Sequence, residues 1–188
     1  MEDWYRQLAV IKDYLIQVDP CLKTVFDTVD QSGFQLHSII KSPYVALISA
    51  IIGQKISYAA AKALRGKLFS IYGTSFGPND LYRRDLSFLG NVPCTIIQNV
   101  TEYILCHNID LSETSHLLSL QNVSGIGEWT IETTLLTCLK NWDIFPLKDK
   151  FLQARMTKLY GKGCDTKTIS LKWAPYRSVV TWYMWRWF

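Results

Sequence analysis

The chain has 188 residues, and 48% of them are hydrophobic, which is enough to build the core of one domain or of two closely packed lobes. Its longest apolar run, residues 45–52, is interrupted by Ser49 and is too short to span a bilayer. The acidic start of the chain lacks the basic and then apolar order of a secretory signal. These features argue against a membrane or secreted protein, and we expect a soluble intracellular one.

Basic residues are concentrated towards the end of the chain. From residue 148 onwards nine lysines and arginines stand against two aspartates, a net charge of +7, whereas the preceding residues sum to −3. This asymmetry suits a surface that faces phosphates, although a solvated helical face would explain it equally well.

The five cysteines are scattered and odd in number, without the close cysteine and histidine spacing of a zinc or iron–sulfur site. We expect reduced thiols in a core and no metal.

Helix signals recur along the chain, and no stretch alternates with the period of two that strands show. The fold class is therefore predicted to be all-α. In the first half, Asp19-Pro20 and Ser42-Pro43 are each a capping residue followed by a proline, the pattern of a helix start. Residues 53–56 then interrupt the pattern, and Ser57 caps a helix from Tyr58 to Tyr72 that Gly73 ends. This places Gln54 and Lys55 at a corner between two helices.

Further helices are predicted in the second half of the chain. The first is opened by Asn91 and Pro93 and reaches about His107. A shorter helix is opened by Ser112, with Leu117, Leu118 and Leu120 facing a core. The remaining helices are Glu128–Leu139, Asp149–Tyr160, Thr166–Leu171 and an aromatic-rich helix after Pro175.

Gly125, Ile126 and Gly127 join two of these helices into a hairpin at about residues 115–139. Such a turn exposes backbone N–H groups at a helix start, and glycine lets a phosphate approach them. Many loops of this composition are ordinary tight turns, so the hairpin alone favours a structural role.

Trp129 follows the hairpin, and Asp149 follows Trp129 by twenty residues at the predicted start of a helix. Here the sequence resembles the 3-methyladenine DNA glycosylase II type of the helix-hairpin-helix superfamily. The blocks that carry this resemblance lie in order between about residues 5 and 187. They are residues 50–57 (AIIGQKIS), 120–121 (LQ), 125–130 (GIGEWT), Asp149 and residues 173–178 (WAPYRS).

The resemblance implies one glycosylase domain over residues 1–188, with two closely packed helical lobes and an active-site cleft between them. We expect it to lack the amino-terminal α/β lobe of some bacterial relatives. Asp149 would be the catalytic carboxylate, although an aspartate at this place is also an ordinary helix cap. Trp129 and Trp185 would line the base pocket, although a tryptophan at helical spacing more often belongs to a core.

Three positions depart from the family pattern. Thr133 takes a pocket position that is commonly aromatic in the bacterial type, and Glu132 adds an acid beside it. Gln54 and Lys55 match the corner that enters the gap left by a flipped nucleotide, where many relatives have leucine or glutamine in place of Lys55. An exposed lysine between helices is the plainer interpretation of that residue.

The expected function is excision of alkylated bases of the 3-methyladenine type from damaged double-stranded DNA, in base excision repair. The protein would be a monomer without a cofactor, although the hairpin could hold a monovalent cation. Bifunctional relatives cleave the strand with a lysine two residues after the last hairpin glycine, and here that residue is Trp129. The alternatives are a glycosylase for other damaged or mismatched bases and a non-catalytic DNA-binding module. The compartment would be the nucleus in a eukaryote or the cytoplasm in a bacterium.

Overall fold

The computed structural model describes residues 2–31, 42–138 and 141–187, and every regular element within them is helical, as predicted. Leu139, the last residue of the predicted hairpin, lies outside these ranges. No helix in the described ranges has the length and apolar character needed to cross a membrane. The helices are α1 (Glu2–Val18), α2 (Leu22–Gln31), α3 (Pro43–Ile52), α4 (Tyr58–Tyr72), α5 (Pro78–Leu81), α6 (Asn91–Cys106), α7 (Thr114–Ser119), α8 (Glu128–Cys138), α9 (Lys150–Tyr160), α10 (Thr166–Leu171) and α11 (Arg177–Met184).

The chain divides into two compact units. The first combines Met1–Ser38 with Asn141–Phe188, and the second is Ile39–Lys140. The first unit therefore contains both ends of the chain and the whole basic segment from residue 148.

A buried aspartate organises the first unit. Asp19 is 7% exposed, and its Oδ2 accepts hydrogen bonds from the Tyr160 hydroxyl at 2.7 Å and the Trp173 indole at 3.0 Å. Burial, together with the hydrogen bond to Asp19, raises the pKa of Tyr160 above its ordinary value, so the phenol stays a donor. The carboxylate thereby ties the end of α1 to the end of α9 and to the fully buried Trp173.

The second unit is built on α3, whose residues 44–52 are all buried. The predicted start of this helix is confirmed, because the Ser42 hydroxyl accepts from the Val45 amide and Pro43 is the first helical residue. α3 packs against α8 and also against α4 and α6. It reaches α6 through a 2.6 Å hydrogen bond between the hydroxyls of Tyr44 and Thr101.

Some local predictions are wrong. α2 begins at Leu22, because residues 20–21 form a turn in which Asp19 Oδ1 accepts from the Cys21 amide. α7 begins at Thr114 with Glu113 as its cap, two residues after the predicted start at Ser112, whose amide donates to the Asp110 side chain. Leu118 on α7 is 49% exposed and does not face a core. The cysteines are free thiols, but only Cys138 is buried, so the expectation of core thiols fails for the other four.

We expect Asp19→Ala to lower the free energy of unfolding by about 3 kcal/mol, because the Tyr160 hydroxyl and Trp173 indole would stay buried without an acceptor. Urea unfolding followed by circular dichroism measures the change. Asp13→Ala removes an exposed carboxylate from α1 and should alter the unfolding free energy by less than about 0.5 kcal/mol. Equal effects of the two substitutions would contradict the role of Asp19.

Candidate active site

Asp149 caps α9, as its position in the sequence predicts. Its Oδ1 accepts hydrogen bonds from the amides of Phe151 at 2.8 Å and Leu152 at 3.0 Å, and the residue is only 4% exposed. The amino terminus of a helix stabilises negative charge, both through these amides and through the aligned peptide dipoles. The structure therefore keeps a carboxylate at a buried position by satisfying it with backbone donors.

The indole of Trp185 supplies a third donor to the same carboxylate. Trp185 follows the last residue of α11, and its Nε1–H donates to Asp149 Oδ2 at 3.1 Å. Both carboxylate oxygens are thus fixed, one by the start of α9 and the other by the end of α11. The structure brings these two predicted site residues together, whereas the role of Trp185 as a wall of a base pocket stays a prediction.

Residues 141–144, shortly before Asp149, are attached to the beginning of α11. Arg177 and Asp143 form a bidentate ion pair, in which Nε lies 2.6 Å from Oδ1 and Nη2 lies 3.0 Å from Oδ2. The hydrogen bonds from Arg177 hold the pKa of Asp143 below its usual value. The Ser178 hydroxyl donates to the Asn141 carbonyl and accepts from the Ile144 amide. Both ends of α11 therefore contact the segment that carries Asp149.

In the second unit, α7 and α8 enclose the predicted glycine hairpin. Gly125 has φ +91°, and a Cβ built there would lie 2.6 Å from Cγ1 of Ile96 on α6. Both the backbone conformation and the close packing require glycine at this position. Ile126 is 4% exposed, and its amide donates to the Val123 carbonyl at 3.0 Å, so this residue holds the turn in place and its predicted contact with DNA stays a prediction.

Gly127 differs from Gly125, because nothing within the protein requires glycine there. A Cβ at this position would have no neighbour within 4 Å, and the backbone is not in the left-handed region. Gly127 directly precedes α8, and the amino terminus of a helix attracts anions. An approaching phosphate would account for this glycine.

The corner at residues 53–57 is attached to the hairpin through Gln54. The Gln54 Nε2 donates to the Gly125 carbonyl at 3.0 Å and to the Thr130 hydroxyl at 2.9 Å. Its side chain is thus hydrogen-bonded to the hairpin, and the role of Gln54 in the wedge stays a prediction. Lys55 is exposed and has φ +58°, a conformation that side chains other than glycine seldom adopt. Lys55 is the residue of this corner whose side chain remains available to a ligand.

Trp129 and Thr133 lie four residues apart on α8 and therefore on one face of the helix. Both are partly exposed. They belong to the second unit together with the hairpin and the corner, whereas Asp149 and Trp185 belong to the first.

The known proteins that the chain resembles include DNA-3-methyladenine glycosylases. No protein-family model matches the chain. The chain is 31% identical to Bacillus subtilis YfjP, which is provisionally named a DNA-3-methyladenine glycosylase, over 97% of this chain and 70% of that protein. It is 27% identical to DNA-3-methyladenine glycosylase 1 of Schizosaccharomyces pombe, over 78% of this chain and 72% of the relative.

The fold agrees with these relatives. The solved structure of the Schizosaccharomyces pombe 3-methyladenine DNA glycosylase Mag1, in complex with abasic DNA, matches with a TM-score of 0.77 at 23% identity, over 93% of this chain and 94% of that one. The fold is thus that of helix-hairpin-helix DNA glycosylases. Because the chain is 31% identical to its Bacillus subtilis relative and covers 70% of that protein, it belongs to the DNA-3-methyladenine glycosylase family.

We expect Gln54→Ala to speed amide hydrogen exchange in residues 124–130 by about tenfold, because the Gly125 carbonyl and Thr130 hydroxyl each lose a donor. Exchange followed by mass spectrometry measures the effect. The matched control is Gln153→Ala, which removes a similar hydrogen bond, from Nε2 to the Leu147 carbonyl at 2.8 Å in the first unit. If hairpin exchange were the same in both variants, Gln54 would not hold the hairpin.

Proposed function

We propose that the protein excises alkylated purines of the 3-methyladenine kind from double-stranded DNA and leaves the DNA backbone intact. The observation that carries this proposal is the Asp149 carboxylate, fixed by two helix amides and the Trp185 indole in a chain of the DNA-3-methyladenine glycosylase family. The protein would act wherever the genome lies, in the nucleus of a eukaryote or the cytoplasm of a bacterium.

The chemistry matches this carboxylate. Rupture of the bond between C1′ and the base nitrogen sends the electron pair to the base and leaves positive charge on the sugar. A fixed carboxylate opposite that charge stabilises the transition state electrostatically, and a water molecule then adds to C1′ and releases a proton. Because an alkylated purine is already cationic, its departure as a neutral base needs neither a cofactor nor a strong acid.

Access to the base requires that the nucleotide leaves the duplex, at a cost of a few kcal/mol that is smallest for damaged pairs. Three elements would support this step. The Gly127 amide region grips a phosphate, the Lys55 side chain occupies the vacated space with its methylene groups, and Trp129 stacks on the extruded base. In the first unit, Trp185 would contribute through the carboxylate that it holds.

The proposed reaction ends at an abasic site. Strand cleavage in bifunctional relatives needs an amine that forms a Schiff base with the sugar. Trp129 stands at the hairpin position where that lysine would be, and Lys148 and Lys150 beside Asp149 are suited to neutralising phosphates.

The grip on the phosphate can be tested with Gly127→Ala. We expect binding to weaken by at least about tenfold on duplexes of any sequence, since a methyl group would separate the phosphate from charge-assisted amide donors. The melting temperature should not fall, because a Cβ at residue 127 meets no neighbour. Gly66→Ala is the matched control, as it also adds a Cβ in open space. Loss of binding for one lesion alone would count against the assigned role.

The catalytic assignment can be tested with Asp149→Asn. Asparagine keeps an acceptor for the amides of Phe151 and Leu152 but removes the negative charge. We expect base release from a methylated duplex to fall at least about 100-fold while DNA binding is largely kept, as measured by hot alkali cleavage of abasic sites. The matched control is Asp165→Asn at the cap of α10, where the side chain accepts from the Thr168 amide.

Undiminished release by Asp149→Asn, or an equal loss in Asp165→Asn, would refute the catalytic role of Asp149. A wild-type protein that binds damaged DNA but releases no base would instead support a non-catalytic binding module. Strand breaks without alkali, or a covalent complex trapped by borohydride, would overturn the hydrolytic mechanism.

A further inference from the structure

Thr133 differs from the other three threonines of α8 in the hydrogen bonding of its hydroxyl. The hydroxyls of Thr134 and Thr137 donate to the carbonyls four residues earlier, at 2.7 and 2.8 Å, and the Thr130 hydroxyl accepts from Gln54. The Thr133 Oγ1 is buried and has no hydrogen-bond partner. It is the one threonine hydroxyl of α8 left unsatisfied.

A helical threonine usually satisfies its hydroxyl with the carbonyl of the preceding turn, as Thr134 and Thr137 do. For Thr133 that acceptor would be the Trp129 carbonyl. A buried hydroxyl without a partner bears the full cost of desolvation, and such groups are rare in folded proteins. An orientation that forgoes the nearest acceptor leaves this hydroxyl for a partner from outside the chain, such as a base or a water molecule.

The position of Thr133 indicates what that group is. Thr133 lies one helical turn after Trp129 on the same face of α8, so a base stacked on the indole would present its edge towards the next turn. A hydroxyl both donates and accepts, so it can pair with the amino group of an adenine or the carbonyl oxygen of a guanine or hypoxanthine. This argument rests on the proposed function, in which Trp129 stacks on the extruded base.

We propose that the Thr133 hydroxyl forms a hydrogen bond with the edge of the extruded purine and thereby sets the preference among damaged purines. Stacking on aromatic walls favours cationic bases in general and does not distinguish one purine edge from another. A hydrogen bond to the edge does distinguish them, because a purine that cannot pair leaves the hydroxyl unsatisfied in the complex.

The test compares Thr133→Val and Thr133→Ser with the wild type on duplexes that contain 3-methyladenine, 7-methylguanine or hypoxanthine. Single-turnover rates of base release are measured for each. Valine keeps the shape but removes the hydroxyl, so we expect release of the preferred purine to fall about tenfold and the other rates to fall less. Serine keeps the hydroxyl and should keep the order of preference. The matched control is Thr134→Val, which removes a bonded hydroxyl from the next residue and should leave the order unchanged.

Thermal melting gives a second readout. Thr133→Val should melt no lower than the wild type, because it removes an unpaired buried hydroxyl, whereas Thr134→Val should melt lower because a bonded one is lost. Equal lowering by both variants would show that Thr133 has a partner inside the protein and would overturn the inference.

An unchanged ratio of rates across the three lesions in Thr133→Val would overturn the inference while leaving the proposed function intact. A wild-type protein that releases none of the bases would refute the proposed function, and this inference with it.

Discussion

The first unit holds two carboxylates in nearly buried places, those of Asp19 and Asp149, and the second of them determines where the end of α11 lies. A carboxylate that is 4% exposed is strongly destabilised unless donors surround it, and Asp149 obtains them from the amides at the start of α9 and from the Trp185 indole. The indole can reach the carboxylate only if the end of the chain lies beside α9. The Arg177–Asp143 ion pair and the Ser178 hydrogen bonds attach the other end of α11 to the same segment, which fixes that arrangement.

The second unit meets a different requirement in the proposed function, because a backbone phosphate would have to approach its hairpin. Its two hairpin glycines divide this task. Gly125 is glycine for internal reasons, namely a left-handed φ and contact with Ile96, whereas Gly127 has neither constraint and leaves open space before α8. The buried Ile126 between them anchors the turn in the core. The turn is therefore packed against the protein at Gly125 and open at Gly127, as the proposed contact with a phosphate requires.

Local features of the chain were predictable and contacts distant in sequence were not. Capping by Ser42, Ser57 and Asp149 follows from short patterns of polar residues before apolar ones, and the structure has all three caps. The hydrogen bonds from Gln54 to Gly125 and from Trp185 to Asp149 join residues 71 and 36 positions apart. No short pattern encodes such pairs, so the sequence does not show whether the Gln54 side chain is hydrogen-bonded to the hairpin. The sequence predicts Thr133 as a pocket residue, but it does not show that the Thr133 hydroxyl lacks a partner, which is visible only by comparison with Thr134 and Thr137.

The position of Lys55 connects these findings. A non-glycine residue at φ +58° carries backbone strain, which persists only where neighbouring contacts enforce the conformation. Gln54, the residue before it, is fixed by two hydrogen bonds to the hairpin and its helix, so the hairpin enforces the conformation of the corner. The corner that carries Lys55 is therefore tied to the hairpin that carries Gly127 in the protein without DNA. Prior ordering of this kind reduces the entropy lost on binding, and in the proposed function it would link the phosphate contact of the hairpin to the side chain that replaces the extruded nucleotide.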